Sequence, residues 1–144
     1  MQRWRKFVSL PAGERGLFLR AAVRLFIVGT AVRLLPYRAL WPLIRPGERL
    51  SPSGTPLAYL PSDITLAIDR AGSVLPFATC LPRAIVGRDL LASCGYAASV
   101  EIGVLRSDHD MEAHAWVETE SGVIVGATSD NRSFTLLRTS PTAK

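Results

Sequence analysis

At 144 residues the chain is long enough to bury a core without disulfides or a metal, and short enough that a single domain over 1–144 is the expectation. An apolar fraction of 48% and a mean hydropathy of +0.21 are high for a chain in water, which suggests that a partner or a membrane surface covers part of it. The net charge of +5 is uneven: residues 1–49 carry ten Arg and Lys against Glu14 and Glu48, while the other 95 carry seven basic and ten acidic side chains.

The N-terminal third is therefore suited to something anionic, such as an acidic peptide, an acidic partner or lipid headgroups, or else is a solvated helix face. Nucleic acid is not expected, because the cations lie among long aliphatic runs and no zinc-finger, helix-turn-helix or RNA-binding signature accompanies them. Residues 12–35 read as one long helix rich in Leu, Phe, Val and Ala, studded with Arg15, Arg20, Arg24 and Arg33 and ended by Pro36. The basic start has the look of a signal-peptide n-region, but Glu14, Arg15, Arg20 and Arg24 interrupt the apolar stretch that an h-region would need. The longest uncharged run there, Leu25 to Val32, is far shorter than the roughly twenty residues a membrane span needs.

A short helix fits Tyr37 to Ile44, between Pro36 and Pro46. Residues 45–61 are dense in Pro, Gly and Ser and read as an irregular connector. Residues 63–71 fit a helix that begins near Ser62 or Asp63, both of which have N-cap chemistry. Thr79 is suited to cap the next helix, over 80–94, in which Leu81, Ala84, Ile85, Leu91 and Cys94 roughly follow the helical repeat. Pro82 is tolerated in its first turn and Gly95 is a natural stop. Val100, Ile102 and Val104 alternate with Ser99, Glu101 and Gly103 as a strand does, and 107–110 is a polar turn that leaves His109 in solvent. Strands at 113–119 and 123–125 pair across a tight turn at Ser121 and Gly122, residues 134–137 could add a fourth, and the tail from Thr139 frays. The fold class is α+β: a basic helical region and connector over 1–62, then a core over 63–138 in which a helix packs on a small antiparallel sheet.

Two residues in that core carry chemistry. Cys80 opens a helix, where unpaired backbone N–H groups and the helix dipole stabilise an anion, and the same amides, that of Leu81 among them, can donate to a carbonyl oxygen as it becomes negative. Cys94 sits at the opposite, electronegative end and reads as a core thiol. The two are fourteen residues apart on one predicted helix, roughly 21 Å, too far to bridge, so no disulfide framework exists and a reducing cytoplasm suits the chain. In the strand at 113–119 His114, Trp116 and Glu118 share one face, expected to look onto a cleft, while Ala113, Ala115 and Val117 share the other, expected to pack on a helix. A thiol at a helix start and an imidazole on a strand are the components of cysteine nucleophilic catalysis. The competing reading is an unrelated Cys and His in a small domain.

The run from Cys80-Leu-Pro-Arg to Cys94-Gly-Tyr, then Val100-Glu-Ile-Gly-Val, then Ala113-His-Ala-Trp-Val-Glu with Gly122-Val-Ile-Val-Gly, resembles the lasso-peptide biosynthesis B proteins. These are cysteine peptidases with a papain-related, transglutaminase-like core, and Phe7-Val-Ser-Leu-Pro with the Arg/Leu helix up to Arg33-Leu-Leu-Pro-Tyr-Arg is similar to that family's leading region. The resemblance implies hydrolysis of a precursor peptide at its leader–core junction. It also implies three partners: the precursor, a separate leader-recognition protein as in split systems, and a macrolactam cyclase that consumes the ATP. No cofactor or metal is implied, and no Walker-type loop is present. By analogy Cys80 attacks, His114 relays the proton, and a third residue orients the imidazole. Roughly twelve residues after the histidine, where an acid is expected, stand Gly126 and Ala127, whose side chains cannot accept a hydrogen bond. Asp130 is the nearest downstream acid and one candidate, a backbone carbonyl or water another; Glu118 shares the face of His114 but is ~13 Å along the strand. The basic N-terminal helix would dock the recognition protein, the leader or the cyclase, with peripheral lipid contact not expected. A non-catalytic peptide-binding adaptor and a transglutaminase-like acyltransferase are the competing functions.

Overall fold

The computed structural model describes residues 9–52, 58–127 and 134–137. Helix α1 spans Ala12–Leu34 and buries Leu17, Ala21, Leu25 and Gly29, one residue per turn along a single face. It stops as Leu35 turns extended ahead of Pro36, where an α conformation would clash with the proline ring. Gly29 lets Phe77 lie against the helix, since a Cβ there would come within 2.7 Å of that ring.

Helix α2 (Tyr37–Ile44) buries Leu40 and Ile44 against Ile85. Its last carbonyls would otherwise be orphans, and the buried Arg88 satisfies them: Nη1 donates to Ile44 O at 2.8 Å and Nη2 to Leu43 O at 2.7 Å. Within the connector expected to be irregular, Arg49–Leu50 forms a two-residue strand, β1, paired antiparallel with β2 (Ala98–Arg106). Gly47, at a φ of 74°, turns the chain there and donates its N–H to Val100 O.

Helix α3 runs Pro61–Gly72 and corrects the expected start at Ser62 or Asp63. Leu60 is the N-cap, proline occupies the first turn, and the Asp63 carboxylate reaches back to accept the Leu60 N–H at 3.0 Å. Helix α4 spans Cys80–Ser93; Thr79 holds the N-cap position as expected, but its side chain makes no capping hydrogen bond. Gly95, at a φ of 93°, lies just past the helix's end.

Strand β3 (Met111–Thr119) pairs with β2 along its whole length, and β4 (Gly122–Val125) pairs with β3 across a bulge at Val117/Glu118. The expected fourth strand is β5, Thr135–Leu136, and it joins β2 at Gly103 and Val104 rather than the far edge. One face of this antiparallel sheet carries Val100, Ala115, Val117 and Val125 into a core built with Ala84, Val86, Leu90 and Leu91 of α4 and the buried faces of α1 and α3. The molecule is thus a mixed α and antiparallel β structure with a leading helix, as the sequence predicts. No described helix is long and apolar enough to cross a membrane.

Candidate active site

Cys80 is the first residue of α4, half-buried against the core, and the segment leading to it is braced. Arg83, one turn into the helix, folds back so that its Nε donates to Ala78 O at 2.7 Å, and its guanidinium lies over Gly72, where a Cβ would come within 2.6 Å. An ion pair to Asp69 at 3.7 Å completes the brace between α3 and the start of α4. The turn presenting the thiol is therefore held by a charged group that residue type and spacing do not single out. Its only sequence signal is an Arg three residues into a helix whose neighbouring helix ends in Gly.

His114 lies on β3, where Ala115 and Val117 point into the core shared with α4 and His114, Trp116 and Glu118 take the opposite pleat. Its Nε2 lies 2.8 Å from Gly126 O. A carbonyl oxygen can only accept, so Nε2 carries the proton and donates it, and in the neutral ring the lone pair resides on Nδ1. The partner stands twelve residues after the histidine, the place where the family resemblance implies an acid, and it is main chain rather than side chain. Gly126 has a φ of 77°, and a Cβ on it would sit 3.0 Å from Ala115 O, so only glycine fits here without strain. Asp130, the side-chain candidate, lies outside the described residues.

The histidine face is not an open cleft at Trp116, contrary to expectation: this side chain is 2% exposed. The His114 ring stacks on it at 5.9 Å between centroids and 22° between planes, and Phe134 approaches both rings at 5.7 and 6.0 Å. Trp116 Nε1 donates to Glu118 Oε1 at 2.9 Å, so the glutamate fixes the tryptophan rather than the histidine. Gly103, opposite His114 in the register, makes room for the stack, for a Cβ there would meet Phe134 at 2.6 Å and Trp116 at 2.8 Å. Cys80 and His114 are carried by packed elements, but no hydrogen bond joins them among the described residues.

Cys94 is 5% exposed, and burial raises its pKa, partly offset by a hydrogen bond from Ser93 and by Arg20 and Arg24. That is the environment of an inert core thiol. His109 is exposed, as expected. A cleft of about 260 Å³ between α1 and α3, lined by Leu17, Phe18, Tyr59, Asp63, Leu66 and Arg70 among others, contains neither Cys80 nor His114. No group of three or more His, Cys, Asp or Glu among the described residues could hold a metal ion.

The profile of the transglutaminase-like superfamily matches residues 22–139, from the middle of α1 past β5 and through both Cys80 and His114. No curated protein and no solved structure matches the chain. A helix opened by cysteine, packed on an antiparallel sheet that carries histidine, is the arrangement this match covers, and over most of its length the chain belongs to the transglutaminase-like superfamily.

Proposed function

We propose that the protein is a cysteine peptidase that removes the leader from a ribosomally made lasso precursor peptide. The observation that carries the catalytic part is His114: its Nε2 is engaged by the Gly126 carbonyl, so in the neutral ring Nδ1 holds the lone pair of a base, on a strand packed against the helix that Cys80 opens. Superfamily membership supports cysteine peptidase or acyl-transfer chemistry at such a pair. The lasso assignment rests on the motifs from Cys80 to Tyr96 and around His114.

In this reading the Cys80 Sγ attacks the scissile carbonyl while its proton passes to His114 Nδ1, and the Leu81 N–H at the helix start donates to the developing oxyanion. His114 returns the proton to the departing amine, and water then hydrolyses the thioester. The reading requires Sγ and the imidazole within about 3 Å in the substrate complex, although His114 takes the pleat opposite to the one that packs on α4. The Gly126 carbonyl takes the orienting role. Substrate selection is delegated to a separate leader-recognition protein, and the freed core amine passes to a macrolactam cyclase.

Cys80→Ala should abolish precursor cleavage assayed with the recognition protein present, whereas Cys94→Ala should retain most of it. Equal activity in the two variants would sink the assignment. The superfamily also admits an acyltransferase, and the mass of the product decides: a free acid for the hydrolase, an amide for the transferase. A peptide-binding adaptor would give no product at all.

A further inference from the structure

Helix α1 is apolar on two faces, and the described chain covers one of them. Leu17, Ala21, Leu25 and Gly29 enter the core, while Leu19, Val23, Phe26, Ile27 and Leu34 are exposed by 52% at Leu19 to 74% at Leu34. At about 100° per residue these five fall in one stripe on the outer face, about 22 Å long. A contiguous exposed apolar stripe rimmed by polar side chains marks an interaction surface. The stripe has a rigid centre, because Phe26 is braced edge-on against Phe77 at 5.6 Å and 71°.

The charge around the stripe selects what covers it. By the same helical spacing exposed Arg20 and Arg24 border it on one side and exposed Arg33 on the other. Between Glu14 and Glu48 the sequence has six arginines and no acidic residue. A second copy would set arginine against arginine, so self-pairing is opposed. Every cation in this stretch is a guanidinium, whose planar fork pairs with carboxylates through two hydrogen bonds. A ridge whose side chains recur at three-, four- and seven-residue intervals is the shape that packs against another helix.

We propose that the outer face of α1 is a docking surface for an amphipathic helix of a partner protein, with an apolar seam and acidic flanks. The surface goes beyond the catalytic reading and does not depend on the chemistry at Cys80. Phe77, which braces the middle of the stripe, lies three residues before Cys80, so the stripe is linked to the segment that leads into α4.

The test uses a three-heptad synthetic helix with Leu and Ile at the a and d positions and Glu at e and g, against the same helix with Lys at e and g. The full chain should bind the Glu peptide, more weakly as salt rises, and not the Lys peptide. Val23→Ser with Ile27→Ser should weaken binding by about tenfold or more, as should Arg33→Glu, which leaves the apolar stripe intact. Both variants should keep the parent's circular dichroism and thermal midpoint, since the altered side chains are exposed. Binding of both peptides alike, binding of neither, or undiminished binding by the variants would overturn the proposal. So would Val23- and Ile27-dependent retention on phosphatidylserine vesicles, which would make the stripe a lipid face, or dimerisation lost in the same variant, which would make the occupant a second copy.

Discussion

At the scale of single residues, the weight falls on a glycine. Gly126 supplies the carbonyl that holds His114, and its φ of 77° together with a Cβ position 3.0 Å from Ala115 O excludes any side chain without strain. Gly126→Ala should cost about 1–3 kcal/mol of stability, the range for a strained backbone position. Because relaxation of that strain moves the carbonyl, cleavage by the proposed peptidase should fall by about tenfold or more. Gly122 provides the control: its φ is 111° with nothing within 4 Å of its Cβ position, and it does not touch His114. Gly122→Ala should lose comparable stability and keep its turnover. Denaturation midpoints and cleavage rates of the two variants check this, and parallel losses of rate would show that Gly126 matters only for folding. A neutral carbonyl also acts differently from a carboxylate, since it fixes the tautomer without itself contributing a full negative charge beside an imidazolium.

At the scale of elements, Arg88 is the clasp between α2 and α4. It donates to the two last carbonyls of α2 and pairs with Asp89 at 3.0 Å, with its own side chain only 7% exposed. Arg88→Met keeps much of the packing volume but leaves Leu43 O and Ile44 O without these donors, at a cost of about 1.5–3 kcal/mol. Urea denaturation measures it, and an unchanged midpoint would mean that water replaces the guanidinium. The elements themselves are largely legible: α1, α2 and α4 agree with expectation within a residue or two, because proline, glycine and apolar spacing mark them. The start of α3 escapes the sequence because Asp63 has N-cap chemistry yet serves from the third helical position, a difference set by backbone geometry rather than residue type. β1 is invisible there because two residues between Gly47 and Pro52 carry no alternation, and only the edge of β2 makes them a strand. The pairing of β5 with β2 rests on a contact more than thirty residues away in sequence, beyond any local pattern. At the site, Cys80 and His114 can be picked out by type and placement. The position of the histidine's partner is indicated by the family resemblance, but a main-chain acceptor leaves no side-chain signature, and the tilted Trp116–Phe134 contact depends on that same long-range pairing.

Across the whole molecule the question is whether the basic leading helix is an attachment or part of the fold. The superfamily match begins at residue 22, inside α1, but the first turns of the helix already contribute Leu17 and Ala21 to the cluster that contains Val100, Ala115 and Val117 of the sheet. Shared burial of this kind couples α1 to the sheet, so the two should melt together. Leu25, with no exposed surface, sits between α1 and that cluster, and Leu25→Ala should cost about 2–5 kcal/mol through lost burial and the cavity left behind. If α1 belongs to the cooperative unit, the entire transition shifts, and far-UV circular dichroism and the fluorescence of buried Trp116, read with Trp4 and Trp41 replaced by Phe, move by the same amount. If α1 is a separate unit, a fraction of the helical signal melts early while Trp116 keeps the parent's midpoint. Coincidence of the two curves would also make α1 a rigid part of the transglutaminase-like core, so that anything bound along its outer face is held in a fixed relation to Cys80.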